Sequence, residues 1–71
     1  MLDEEIAAPA IELLGTAVGE LMEDTLPVAL HRSGSPRERQ QRARELQAAA
    51  EDIEVLTAAM GVLARLAAPP A

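Results

Sequence analysis

The residues of this chain best suited to catalysis or metal binding are one histidine and two acidic clusters. The clusters consist of Glu20, Glu23 and Asp24, which share one helical face, and of Glu51, Asp52 and Glu54. A di-metal site in a helical bundle requires Glu-x-x-His pairs on facing helices, and no histidine follows either cluster at that spacing. We therefore interpret both clusters as solvated surface, and expect no metal, no cofactor and no catalytic residue.

The histidine, His31, is followed directly by Arg32. A histidine that accepts a phosphoryl group would lie in the middle of a helix inside a bundle. His31 instead lies beside a predicted turn, where a cationic side chain suits the carboxyl end of a helix. We interpret it as a helix-end residue.

The composition excludes several classes of protein. Phe, Trp, Tyr and Cys are absent, so disulfides, cysteine nucleophiles and cysteine zinc sites are excluded. The net charge of −6 argues against nucleic acid as a ligand, because phosphate binding requires a basic face. The uncharged run 55–64 is too short to cross a bilayer, which takes about 20 apolar residues. The acidic amino terminus differs from a basic secretory signal, so we expect a cytoplasmic protein.

The 71 residues predict a single all-α domain, 1–71, that contains two helices. Ser35 is a suitable N-cap, Pro36 suits the first helical position and Glu38 completes a capping box. A long helix is therefore predicted at about 36–67, ending before Pro69 and Pro70. The turn 32–35 contains Gly34, which we expect to end a first helix at about 4–31.

Two prolines complicate this first helix, since each lacks the backbone donor that a helix interior uses. Pro9 predicts frayed or separately turned residues at the helix start. Pro27 predicts a kink or a short final segment, 27–31.

Apolar residues recur every three or four positions in both helices, as in a coiled coil. This seam comprises Ala7, Ile11, Leu14, Val18, Leu21, Thr25 and Val28 in the first helix and Leu46, Ala49, Ile53, Leu56, Met60, Leu63 and Ala67 in the second. The pattern predicts an antiparallel two-helix hairpin in which Leu14 lies near Ile53 and Ile11 near Leu56.

A second apolar stripe runs beside the seam on each helix. We call it the apolar flank: Ile6, Ala10, Leu13 and Ala17 on the first helix, and Val55, Ala59, Val62 and Leu66 on the second. One hairpin partner cannot cover so wide an arc, and an exposed apolar patch is typical of an interface. So small a domain also buries little surface by itself. We therefore expect a protein partner; the alternative is that these residues form the edge of a short core.

Five of the six arginines fall within residues 32–44, a segment of charge +4 between acidic stretches. A basic helix start is compatible with an RNA or phosphate contact. The hairpin favours a simpler interpretation, in which Glu20, Glu23 and Asp24 pair with Arg42 and Arg44 and set the antiparallel register.

The sequence from Arg32 onward also resembles a known family. It reads Arg32-Ser33-Gly34-Ser35-Pro36 at the turn and Gln40-Gln41-Arg42-Ala43-Arg44-Glu45-Leu46 at the second helix start, and it ends with Ala58-Ala59-Met60-Gly61-Val62-Leu63. Over residues 30–66 this pattern resembles the small co-chaperones of type III secretion systems. The resemblance implies a helical hairpin that pairs with a tetratricopeptide-like chaperone, so that the two together hold the needle subunit in the cytoplasm. It implies no catalysis.

We therefore hypothesise a non-enzymatic interaction protein, in its most specific form such a co-chaperone. The alternative is a homodimer in which two hairpins form a four-helix bundle, as a small regulator or antitoxin-like adaptor. An enzyme built in a helical bundle would need polar groups inside the seam, and Thr25 is the one such residue there.

Overall fold

The computed structural model describes residues 2–32 and 34–67, which form two α-helices packed against each other. Helix α1 spans Glu4–Leu30 and helix α2 spans Pro36–Ala67. Both bounds lie within one residue of those that the sequence predicts. The all-α hairpin is therefore confirmed, whereas the predicted stop at Pro69 and Pro70 lies outside the described residues.

Each helix begins at a capped amino terminus. Asp3 is the N-cap of α1 and accepts a 2.9 Å hydrogen bond from the Glu5 amide. In α2 the Ser35 hydroxyl accepts a 3.2 Å bond from the Glu38 amide, which is one half of the predicted capping box; the reciprocal bond from the Ser35 amide to the Glu38 carboxylate does not form among the described residues. These side chains satisfy backbone donors that have no partner within the helix, and so fix where each helix starts.

Both prolines of the first helix lie inside α1, which is continuous from Glu4 to Leu30. The predicted frayed start before Pro9 and the separate segment 27–31 are therefore wrong, whereas the alternative of a kink at Pro27 stays a prediction. Each proline removes the bond that its amide would donate to the carbonyl four residues earlier, at Glu5 and Glu23. Those residues and the prolines are all exposed, so water can replace the missing donor.

The turn contains Gly34, whose φ of 124° is the one positive value found in the described part of the chain. The helix nevertheless ends earlier than this glycine, at the extended residue His31, whose amide bonds the Val28 carbonyl. Gly34 therefore redirects the chain into α2 and does not cap α1 as expected. Its carbonyl accepts a 2.7 Å bond from Arg39 Nη1, which ties the turn to the first turns of α2.

The two helices form a thin rod with a shallow core. Its principal extents are 53 × 15 × 15 Å and its radius of gyration is 16.5 Å, against about 11 Å for a compact chain of this length. All fourteen seam residues are buried or half-buried. Among the described residues, however, the two that are buried are alanines, Ala7 and Ala67, and no large side chain is fully enclosed.

The register of the hairpin differs from the predicted layers. A Cβ added to Gly15 would lie 3.6 Å from the Met60 methyl group. In the predicted register Met60 faces Ala7, eight residues or about 12 Å along the helix from Gly15, which a methionine side chain cannot span. The predicted pairing of Leu14 with Ile53 and of Ile11 with Leu56 is therefore wrong in register, with α2 displaced along α1. A seam that repeats every 3.5 residues packs well in several registers, so the pattern alone does not choose one.

Candidate interaction surface

The large side chains of the apolar flank are exposed. The exposed fractions are 62 % for Ile6, 72 % for Leu13, 68 % for Val55, 44 % for Val62 and 52 % for Leu66. The alanines between them, Ala10, Ala17 and Ala59, are half-buried beside the seam. The structure thus places the residues predicted to contact a partner beside the helix–helix contact, with their larger side chains in solvent.

Both halves of the apolar flank lie on the same face of the hairpin. By helical periodicity, the flank residues of α1 lie on the side of the seam nearest Leu14, and those of α2 on the side nearest Leu56. When two helices run antiparallel, these two sides point toward the same face of the hairpin. An open groove of about 410 Å³ at the turn supports this geometry. Its lining joins residues of that side of both helices with Val28 of the seam and Arg42; the others are Pro27, His31, Glu38, Gln41 and Glu45. The flank is therefore one surface contributed by two helices.

A second exposed apolar group was not predicted from the sequence. Met22, Leu26 and Leu30 are more than half exposed and recur every four residues along α1. They lie on the other side of the seam from Ile6 and Leu13, near the turn. Their four-residue spacing was the signal that could have identified them as a third apolar stripe.

The predicted ion pairs between the helices do not form. Within residues 2–32 and 34–67, no ion pair joins Arg42 or Arg44 to an acidic residue of α1. Arg44 instead donates a 3.1 Å bond to the Gln41 side chain. The Arg42 guanidinium lies toward the turn, 3.0 Å from where a Gly34 Cβ would stand. Helix geometry accounts for this position, because helical side chains lean toward the amino terminus, and for α2 that direction is the turn.

The polar residue of the seam, Thr25, has its hydroxyl hydrogen-bonded to the Leu21 carbonyl at 2.6 Å. The bond lies within its own helix, so Thr25 needs no partner from α2. In the described part of the chain, no buried side-chain N or O atom lacks a partner, and no three His, Asp or Glu residues converge enough to hold a metal ion. Neither described helix is long and apolar enough to cross a membrane.

Comparison of the chain with protein-family models, with curated proteins and with solved structures finds no match. The geometry of the hairpin and the chemistry of its exposed side chains are therefore the basis for a functional proposal.

Proposed function

We propose that this chain is a non-enzymatic interaction module whose apolar flank packs against a helical protein partner. The observation that carries the proposal is the contrast in burial. The described chain fully encloses no large side chain, while five large residues of one face stay 44–72 % exposed. Apolar surface on this scale stabilises a fold when it is removed from water, by about 1.5–3 kcal/mol for each large side chain fully buried.

The partner is proposed to be a different protein. Net charge is −6, and seven of the twelve acidic residues lie within residues 1–30. Two copies that met along their whole length would bring like charges together. A second copy could cover the apolar flank only if the two hairpins overlapped along part of their length, with their open ends side by side. That four-helix bundle, as a small regulator or antitoxin-like adaptor, is the alternative that the experiment must separate.

The most specific form of the proposal rests on the resemblance of residues 30–66 to type III secretion co-chaperones. In that form the partner is a tetratricopeptide-like chaperone in the cytoplasm, and the pair holds a needle subunit before secretion. A concave helical repeat is a suitable partner, because it presents an extended concave surface in which a thin rod can lie. The thin hairpin would supply two parallel rows of aliphatic side chains to such a groove.

Site-specific photo-crosslinking in cells tests the proposal. A photo-reactive amino acid replaces Val62 or Leu13 in the flank, and Ala58, which is exposed on another side of α2, serves as the matched control. We expect adducts from positions 62 and 13 and none from 58. An adduct of twice the chain mass would establish the homodimer, whereas an adduct with a different protein supports the heterologous module.

Two further measurements decide the outcome. If the purified chain is a monomer with a sharp melting transition and forms no adduct at position 62, the proposal is wrong. For the co-chaperone form, co-expression with a candidate chaperone should yield a complex that Val62→Glu/Leu66→Glu disrupts and Ala58→Glu does not. Equal recovery of the complex with the parent chain and both variants would exclude the apolar flank as the contact surface.

A further inference from the structure

The face that carries the apolar flank continues toward the turn as an acidic surface. Along α1 the same three-and-four spacing leads from Ala17 to Glu20, Asp24, Pro27 and His31. Along α2 it leads from Val55 back to Asp52, Ala48, Glu45, Gln41 and Glu38. Both rows end in the groove at the turn, whose lining includes residues of each. The face is thus aliphatic at the open end of the hairpin and acidic nearer the turn.

The two rows contain five exposed carboxylates: Glu38 lies at the turn, and the other four form the acidic half, namely Glu20, Asp24, Glu45 and Asp52. In the region that the structure describes, none of the four forms an ion pair. Glu45 accepts one 3.3 Å bond from the Gln41 side chain. The two rows contain no arginine or lysine: Arg42 lines the groove at the turn but forms no ion pair with the four carboxylates, and Arg44 lies on the outer side of α2. No ion pair among the described residues therefore neutralises these four carboxylates.

A metal ion does not explain the acidic half-face. No three carboxylates or histidines in the described residues are close enough to share a cation. A helix that covered the apolar flank and ran on toward the turn would, however, lie over these carboxylates. If that part of the helix were apolar, the carboxylates would lose their hydrogen bonds to water and gain no others, which is unfavourable. A continuation with lysines or arginines would pair with them instead.

We infer that the helix that covers the apolar flank carries aliphatic residues in one half and lysines or arginines in the other, which pair with Glu20, Asp24, Glu45 and Asp52. This inference rests on the proposed function and specifies the chemistry of its partner. The surface from Ile6 to Asp24 is about 28 Å long, which corresponds to about 19 residues of a partner helix. The basic residues of that helix lie toward the turn of the hairpin, so the charges also fix its direction.

Two synthetic helical peptides of about 20 residues serve as probes. Both carry leucine and alanine in the half that faces the apolar flank. In the other half the first has lysines, and the second has glutamates at the same positions. Each peptide has a fluorescent label, and anisotropy measures its binding to the intact chain. We expect the lysine peptide to bind at least about tenfold more tightly at low salt, with the preference shrinking as salt rises.

Two charge-matched variants locate the effect. Glu20→Gln/Asp24→Asn/Glu45→Gln/Asp52→Asn neutralises the acidic half-face and should reduce the preference for lysine to less than about threefold. Glu5→Gln/Glu12→Gln/Glu51→Gln/Glu54→Gln removes the same charge from exposed residues on other sides and should retain most of the preference for lysine. Equal losses in the two variants would show that net charge alone attracts the peptide, which would overturn the inference.

The remaining outcomes distinguish this inference from the proposed function. If both peptides bind equally and Val62→Glu/Leu66→Glu abolishes both interactions, the apolar flank is a docking surface but the acidic half-face plays no part. If neither peptide binds while position 62 still forms a protein adduct in cells, the partner does not have the inferred chemistry. The proposed function itself is contradicted by the outcomes given for it above, chiefly the absence of adducts at position 62 in a chain that is a monomer with a sharp melting transition.

Discussion

The Leu2 amide donates a 3.0 Å hydrogen bond to the Leu66 carbonyl, which joins the residue before the α1 cap to the last turn of α2. The bond satisfies one of the carbonyls that the last turn of α2 leaves without a helical donor. It also holds the half-buried Leu2 near the end of α2, at the end of the hairpin where Ala7 and Ala67 are buried. Leu2 thus adds a contact between the two helices from outside α1.

We expect Leu2→Pro to weaken the hairpin because proline has no amide to donate. Leu2→Ala is the matched control, since it shortens the side chain and retains the amide. The proline variant should be less stable than the alanine variant by about 1 kcal/mol, the usual net contribution of one hydrogen bond. Urea denaturation followed by circular dichroism measures both. Equal stability of the two variants would show that the bond does not contribute.

This bond could not have been predicted from the sequence, because Leu2 precedes the helix and belongs to no apolar repeat. The features that could be predicted are local ones. Ser35 and Pro36 specify the start of α2, and the spacing of apolar residues specifies which sides of the helices face each other. Local signals of this kind depend on neighbouring residues alone.

The features that could not be predicted depend on how the two helices are placed along each other. The seam repeats every 3.5 residues, so the pattern does not determine which residue of α1 Met60 lies beside, and the structure places it beside Gly15. The predicted ion pairs of Arg42 failed for a related reason. That prediction assumed that the Arg42 side chain points straight across to α1, whereas it leans along α2 toward Gly34. The apolar flank could be predicted because exposure at one side of a helix follows from periodicity.

Gly34→Ala should destabilise the hairpin at its turn. The φ of 124° is unfavourable for any residue with a side chain, and a Cβ would stand 2.5 Å from Glu38 Oε2. Backbone strain of this kind costs about 1–3 kcal/mol. Thermal denaturation followed by circular dichroism at 222 nm should show a lower midpoint.

Gly19→Ala provides the control for that substitution. Gly19 is exposed within α1, and no atom lies within 4 Å of an added Cβ. Alanine is there the better helix former, so the variant should gain about 0.5–1 kcal/mol. A glycine-to-alanine change is thus expected to have opposite signs at the two positions. The same sign at both would mean that the turn does not have the observed conformation.

Ser35→Ala should lower the stability of α2 at its first turn. The substitution removes the hydroxyl that accepts the 3.2 Å bond from the Glu38 amide. Loss of an N-cap oxygen costs about 1 kcal/mol. Ser35→Asp retains an acceptor and adds a negative charge that the helix dipole favours, so it should be at least as stable as the parent chain. If the aspartate variant is as unstable as the alanine variant, the cap is not the cause.

The register itself can be tested with a double-mutant cycle between Gly15 and Met60. A methyl group at position 15 would lie 3.6 Å from the Met60 methyl, an ordinary van der Waals contact. Gly15→Ala should therefore stabilise the parent chain by more than it stabilises Met60→Ala, with a coupling of about 0.5 kcal/mol. The gain in helix propensity is the same in both backgrounds and cancels. The same cycle with Gly19→Ala should give no coupling, because a Cβ at that position has no neighbour. Equal coupling energies for the two glycines would show that Met60 does not lie beside Gly15, and the hairpin would then have another register.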